Sequence, residues 1–132
     1  DYLATFGAGT NRRARVMSAM RDIHDYETVL ARRYYDAVRQ LDGVSVYGPG
    51  FDDGPRAPTV SITCERHTPK DVAAHLAERG LQVWHGHFYA MRVLEVLDLA
   101  ERGGLIRVGI SLYNDDPEID RLIDALATLA RS

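Results

Sequence analysis

The sequence predicts an α+β fold: a two-layer sandwich in which a four-stranded, mostly antiparallel sheet carries helices on one face, in the order αββαβαβα. Three observations predict it. Four short segments have one apolar and one mixed face, as half-buried strands do. Four longer segments repeat apolar residues at mostly three- and four-residue intervals, as amphipathic helices do. Glycine and proline turns separate the segments, and 132 residues suit one domain with a single core.

The first predicted helix runs from Arg12 to about Leu41, with Asn11 as its N-cap. A straight helix of this length extends roughly 40 Å, whereas a globule of this size is about 30 Å across. We therefore expect one end to overhang the domain or to pack on something outside this chain. A bend in the helix is the alternative.

The predicted strands cover residues 44–47, 58–64, 81–84 and 105–111. The other three helices begin after Thr68, around Tyr89 and after Asp115, and the second of them extends to about residue 102. Pro69 after Thr68, and Glu118 three residues after Asp115, are typical of helix N-termini. The alternation also places a set of mostly polar side chains on the sheet face away from the helices: Thr59, Ser61, Thr63, Gln82, Trp84, Arg107, Gly109 and Ser111.

Arg107 is the candidate binding residue on this face. It lies between Ile106 and Val108, so it projects away from the core, and Gly109 leaves room beside it. A guanidinium next to such a gap suits bidentate binding of a carboxylate or phosphate. The alternative is an arginine on a solvated sheet face, which the spacing alone favours.

Composition and charge exclude several classes of partner and site. The net charge of −3 argues against nucleic acid or an anionic membrane as the main partner. No apolar run approaches the roughly 18 residues of a membrane span. The single cysteine, Cys64, excludes an intrachain disulfide, which agrees with a cytoplasmic location, and its inward position predicts a buried side chain. His85 and His87 are two positions apart, so in an extended strand they would face the same way and could bind one metal ion. No further candidate ligand lies at a recognisable spacing from them, so we predict no metal site.

Two C-terminal motifs carry a resemblance to a known family. GLIRVGISLYNDDPEIDRLIDAL, residues 104–126, resembles the C-terminal signature of class V aminotransferases and cysteine desulfurases. GLQVWHGHFYA, residues 80–90, lies where desulfurases have a V-R-T-G-H-H-C-A type motif, and residues 26–49 resemble their linking helix and first small-domain strand. The resemblance implies a C-terminal small domain, residues 1–132, of a pyridoxal-phosphate (PLP) enzyme, with the interdomain linking helix at about residues 12–41.

The resemblance also implies roles for matching residues. Arg107 matches the arginine that binds the substrate's α-carboxylate, and His87 matches the histidine of the G-H pair, so both are expected to bind substrate. Tyr89 stands at the position of the desulfurase cysteine nucleophile and Trp84 at that of an arginine. A persulfide mechanism is therefore not implied, and desulfuration, transamination and elimination stay open, as does the substrate amino acid.

The cofactor and partners are likewise implied by the family. PLP acts as an electron sink at the Cα atom of an amino acid in the parent enzyme, which is expected to be a homodimer. The PLP lysine, the pyridinium-binding aspartate and the stacking residue belong to a large domain upstream of Asp1, and residues 1–7 resemble the tail of one of its helices. The only lysine here, Lys70, is predicted in an exposed first helical turn, where a Schiff-base lysine lacks its desolvated pocket. This chain alone is therefore expected to contain no catalytic residue, to bind no PLP and to be inactive. The alternative from another class is a free-standing α+β binding or dimerisation module without catalysis.

Overall fold

A computed structural model describes residues 2–131 and confirms an α+β fold with a four-stranded antiparallel sheet. The strand order is β1-β2-β4-β3, and every neighbouring pair is antiparallel. In chain order the elements are α1 (Tyr2–Phe6), α2 (Arg12–Val38), β1 (Val44–Tyr47), β2 (Thr59–Cys64), α3 (Pro69–Ala77), β3 (Trp84–Gly86), α4 (Met91–Val96), β4 (Leu105–Gly109) and α5 (Asp116–Ala130).

The main core lies between one face of the sheet and the three helices α2, α3 and α5. Apolar side chains of β2 and β4 alternate into it, as the sequence pattern predicts. The largest fully buried side chains in this layer come from all of these elements: Leu30, Tyr34, Val38, Val60, Ile62, Val72, Leu76, Ile106 and Leu126. Removing this apolar surface from water is the main stabilising contribution to the fold.

Helix α2 begins as predicted, because the Asn11 side chain accepts a hydrogen bond from the Ala14 amide. Its end is earlier than predicted: Val38 is the last helical residue, and the chain tightens into turns up to Leu41. The C-terminal half of α2 contributes Leu30 and Val38 to the main core, whereas the N-terminal half packs on α1. The N-terminal half therefore projects beyond the sheet, as its length predicted.

Residues 2–6 are helical, in agreement with the expected helix tail at residues 1–7; Asp1 lies outside the described residues. The element α1 was missing from the predicted order. Helix α5 was predicted correctly, and its capping box is complete: Asp115 accepts from the Glu118 amide, and the Glu118 carboxylate accepts from the Asp115 amide. Thr68 caps α3 by accepting from the Asp71 amide.

The third strand was predicted at residues 81–84 and lies instead at Trp84–Gly86. Leu81 and Val83 do pack against the main core, which explains their alternation, but they belong to no ladder. An alternating pattern shows which way side chains point, but it does not show which backbone segments pair. The predicted strand was therefore placed too early in the chain. Gln82 consequently lies outside the sheet.

The third predicted helix, residues 89–102, is reduced to the six residues of α4. Phe88 and Tyr89 adopt left-handed backbone conformations, so the helix cannot begin before them. Asp98 also adopts a left-handed backbone conformation, just after the helix, and the chain then returns to β4. Gly104 is required on this return, because a Cβ atom there would collide with the Gly86 carbonyl. Strand β4 in turn ends at Gly109, and Ser111 lies beyond it.

Candidate functional site

The sheet face opposite the main core, here called the outer face, carries a row of four directly opposed residues. Tyr47 of β1 pairs with Ser61 of β2, Ser61 pairs with Arg107 of β4, and Arg107 pairs with Trp84 of β3. Opposed residues in an antiparallel sheet share a face, with Cβ atoms about 5 Å apart. The register therefore places Arg107 between a serine and a tryptophan at the centre of the outer face.

The Arg107 side chain is exposed and makes no ion pair or side-chain hydrogen bond with residues 2–131. Its guanidinium carbon lies over the Phe88 ring, 4.7 Å from the ring centre. Arg33 shows the contrast, because its guanidinium binds both Asp116 and Asp120 and ties α2 to α5. The Phe88 contact covers one face of the Arg107 guanidinium, while its N–H edges stay available to a planar anion.

The residues 87–89 form a tight turn that brings Phe88 onto Arg107. Phe88 and Tyr89 have φ values of 50° and 60°, a region that non-glycine residues rarely adopt. The Tyr89 amide donates a hydrogen bond to His87 Nδ1 at 3.0 Å, and the two rings make an edge contact. Since Nδ1 of neutral His87 accepts, its hydrogen resides on Nε2, which makes Nε2 a donor.

The outer face is not fully open, contrary to the prediction. Helix α4 and the turn after it cover one end with a small second cluster of Leu94, Leu99 and Leu105, against which Tyr47 and Phe88 pack. Thr63 is buried beneath this cover, and its hydroxyl lies 3.3 Å from the Tyr47 hydroxyl. The sequence pattern of α4 could not show this, because a six-residue helix gives too few positions to define a face. The other end, around Arg107 and Gly109, is open.

The structure thus places Arg107 and the His87 turn on the same part of the molecule. They meet through Phe88, since the His87 ring contacts Tyr89 and not Arg107. The sequence alone did not reveal the contact between Phe88 and Arg107. No spacing rule could have found this contact, because it depends on the left-handed turn.

Cys64 and Lys70 lie elsewhere, on the side of the main core. Cys64 is buried as predicted, and burial raises the pKa of its thiol. Lys70 is exposed in the first turn of α3, a helix that packs on the sheet face opposite to Arg107. Within residues 2–131 no three histidine, cysteine, aspartate or glutamate side chains are placed to hold a metal ion.

The chain is similar in sequence and in fold to proteins of one known family. The model of the family "Aminotransferase class-V" matches residues 8–122. This chain belongs to the class V aminotransferase family. A probable cysteine desulfurase of Staphylococcus aureus strain Mu50 is 31% identical over 104 residues, which cover 79% of this chain and 24% of the relative. A cysteine desulfurase of Serratia proteamaculans is 28% identical over 131 residues, 99% of this chain and 28% of the relative.

Among solved structures, the apo cysteine desulfurase of Thermococcus onnurineus NA1 matches this class V chain with a TM-score of 0.73 and 26% identity. The match covers 96% of this chain and 33% of that one. The chain therefore spans about a quarter of the length of the curated relatives and a third of this solved structure.

Lys70, the only lysine of this class V chain, does not fit the role of a PLP-binding lysine. PLP enzymes bind the cofactor through a desolvated lysine amine, and Lys70 is exposed in the helix layer on the far side of the sheet from Arg107. Among the described residues, no helix is long and apolar enough to cross a membrane.

Proposed function

We propose that this chain is the C-terminal small domain of a PLP-dependent class V aminotransferase or cysteine desulfurase-like enzyme that acts on an amino-acid substrate. Its part in that enzyme is to bind the substrate's α-carboxylate through Arg107. The observation that carries the proposal is the state of Arg107: exposed at the centre of the outer face, without a carboxylate partner among residues 2–131, and held against Phe88.

The geometry suits a carboxylate in three respects. The strand fixes the direction of the Arg107 side chain, and the Phe88 ring restricts the plane of the guanidinium. Two parallel N–H donors on one edge of that plane match the two oxygens of a carboxylate. Because the plane is restrained before the ligand arrives, less rotational freedom is lost on binding.

His87 is proposed to assist from the adjacent turn. Its Nδ1 atom is occupied by the Tyr89 amide, which leaves the Nε2 hydrogen as the donor that faces a ligand. Tyr89 is almost fully exposed, at 96%, and its ring makes an edge contact with the His87 ring. We assign His87 to substrate binding, and we assign no catalytic residue to this chain.

The cofactor and the remaining partners are parts of the same proposal. PLP is held by a large domain of the same chain, since Lys70 is unsuited to the role. The projecting N-terminal half of α2 is the proposed link to that domain. By family resemblance the enzyme is a homodimer, and the single buried thiol of Cys64 agrees with a cytoplasmic location.

The test uses the complete enzyme that contains this chain, with Arg107→Lys as the variant. Lysine keeps the charge but loses the paired donors. We expect amino-acid affinity to fall by roughly 10- to 100-fold, the loss typical of a charge-assisted hydrogen bond, while the PLP absorbance stays unchanged. Arg79→Gln, in the helix layer beyond the sheet, is the control. Unaltered substrate kinetics in Arg107→Lys would remove this residue from the site.

The alternative is a free-standing binding or dimerisation module, and the self-contained core of α2, α3, α5 and the sheet agrees with it as well. The two proposals differ in what the natural gene encodes. The enzyme proposal requires an upstream domain with a PLP-binding lysine, and a purified protein that carries the cofactor. A natural protein without that domain, which self-associates through the outer face or α2, would favour the module.

A further inference from the structure

The surroundings of Arg107 are aromatic, and this feature goes beyond carboxylate binding. Phe88 lies against one face of its guanidinium. Trp84 is its direct cross-strand neighbour and is 66% exposed. A tryptophan exposed on the edge strand β3 is costly to leave in water, because indole is the largest apolar side chain. Nothing in the main core or the second cluster covers it.

Gly109 leaves open space beside these two residues. It lies two positions after Arg107 on β4, on the same face, and a Cβ atom built on it would have no heavy atom within 4 Å. Its ladder partner on β2 is the small residue Thr59. On the other side, residues 81–83 have left the ladder, so β3 does not extend past Trp84. The result is a shelf with Gly109 as its floor, Arg107 at one end and Trp84 beside it.

We infer that Trp84 is a specificity-determining residue, and that the shelf selects amino acids with a large apolar or aromatic side chain. The inference rests on the proposed function, because it assumes that Arg107 holds the carboxylate of the ligand. With that carboxylate bound, a large side chain lies over Gly109 and covers the indole of Trp84. A small side chain leaves the indole in water and gains nothing from it.

The expected size of the preference for large apolar amino acids follows from the strength of contacts between aromatic rings. An aromatic pair adds roughly a two- to tenfold gain in affinity beyond simple burial. Large apolar amino acids should therefore exceed alanine in kcat/KM by at least this factor. Acidic amino acids should be poorer substrates than apolar ones of similar size, since the indole of Trp84 offers a carboxylate no opposite charge.

The first experiment uses the 132-residue chain and its only tryptophan, which makes fluorescence a direct reporter of Trp84. The probes are propionate and 3-phenylpropionate, which share a carboxylate and differ by a ring. We expect 3-phenylpropionate to change the emission with an affinity roughly three- to tenfold higher than that of propionate. Arg107→Gln should abolish both responses. Equal affinities, or binding that survives loss of Arg107, would overturn the inference.

The second experiment uses the complete enzyme and a panel of amino acids. Trp84→Ala should lower the ratio of kcat/KM for phenylalanine to that for alanine, and Trp84→Phe should restore most of it. His85→Ala is the control, because His85 is the next residue on β3 and pairs with Ile106 on the other face. A ratio that Trp84→Ala leaves unchanged contradicts the specificity role and leaves the proposed function standing. If no amino acid is turned over or perturbs the cofactor spectrum, the proposed function itself fails.

Discussion

The guanidinium carbon of Arg107 lies 4.7 Å above the centre of the Phe88 ring, within the range of a cation–π contact. The contact joins a strand at the centre of the sheet to a left-handed turn between β3 and α4. Phe88 also packs against Leu94, Leu99 and Leu105. The orientation of Arg107 therefore depends on how α4 closes over the end of the outer face.

Substitution of Phe88 tests this dependence. In the complete enzyme, Phe88→Leu should keep most of the packing but remove the ring, so the guanidinium loses its restraint. We expect amino-acid affinity to fall by roughly two- to fivefold, the value of an exposed cation–π contact. Phe88→Tyr keeps the ring and serves as the control. A loss of equal size in both variants would mean that Phe88 acts through folding of the turn alone.

Lys70 should form no stable adduct with PLP. Its amine is exposed in the first turn of α3, whereas a Schiff-base lysine lies in a desolvated pocket. After PLP is added to the 132-residue chain and reduced with borohydride, mass spectrometry should find no more label on Lys70 than on a lysine in an unstructured peptide. Selective labelling of Lys70 would show a cofactor site within this chain.

The buried Tyr34 hydroxyl leads to the prediction that its removal stabilises the fold. The Tyr34 side chain is fully buried in the main core, and its hydroxyl has no hydrogen-bond partner among residues 2–131. Burial also raises the pKa of this phenol, as does the neighbouring Cys64. Tyr34→Phe removes an unsatisfied polar atom, so the free energy of unfolding should rise by about 1 kcal/mol.

The matched control for Tyr34 is Tyr47→Phe. The Tyr47 hydroxyl does have a partner, the Thr63 hydroxyl at 3.3 Å, and Thr63 is buried. This variant should lower the free energy of unfolding by about 1 kcal/mol. Urea denaturation of the two variants measures both changes. A loss of stability in Tyr34→Phe would show that its hydroxyl is satisfied in solution.

Cys64 should be inert to alkylation in the folded chain. Burial holds the pKa of its thiol above that of an exposed cysteine, so the reactive thiolate is scarce even in mildly alkaline solution. Because burial raises the pKa of the Cys64 thiol, folding favours its neutral form. The resulting contribution to the free energy of unfolding is complete at pH values below the pKa of this thiol in the unfolded chain. It is lost as the pH rises through the pKa of the same thiol in the folded chain. Iodoacetamide should label Cys64 rapidly only after urea is added. Fast labelling of the folded chain at neutral pH would contradict its burial.

Much of the fold was predictable because its signals are local. Alternation identified β2, and capping residues placed the starts of α2, α3 and α5. Arg107 was recognisable as an outward residue for the same reason, since its neighbours Ile106 and Val108 are both apolar. These features depend on residues within a few positions of one another.

The predictions failed where contacts between distant segments decide the structure. Residues 81–83 alternate like a strand, yet only Trp84–Gly86 finds a partner in β4. The predicted helix at 89–102 shortens to Met91–Val96 because the chain must turn at both ends to reach Gly104 and the backbone of Gly86. Pairing and close backbone approach are properties of two segments together, so neither segment's own pattern contains them.

The sequence by itself therefore determined that one arginine stands on the outer face of an α+β domain, because the direction of side chains in a strand follows from a period of two. Only the tertiary structure decided what surrounds that arginine. The register set Trp84 opposite Arg107, and the left-handed turn laid Phe88 against its guanidinium. Both depend on how segments some twenty residues apart pack together, which is the physical reason why the aromatic surroundings of Arg107 emerged only from the fold.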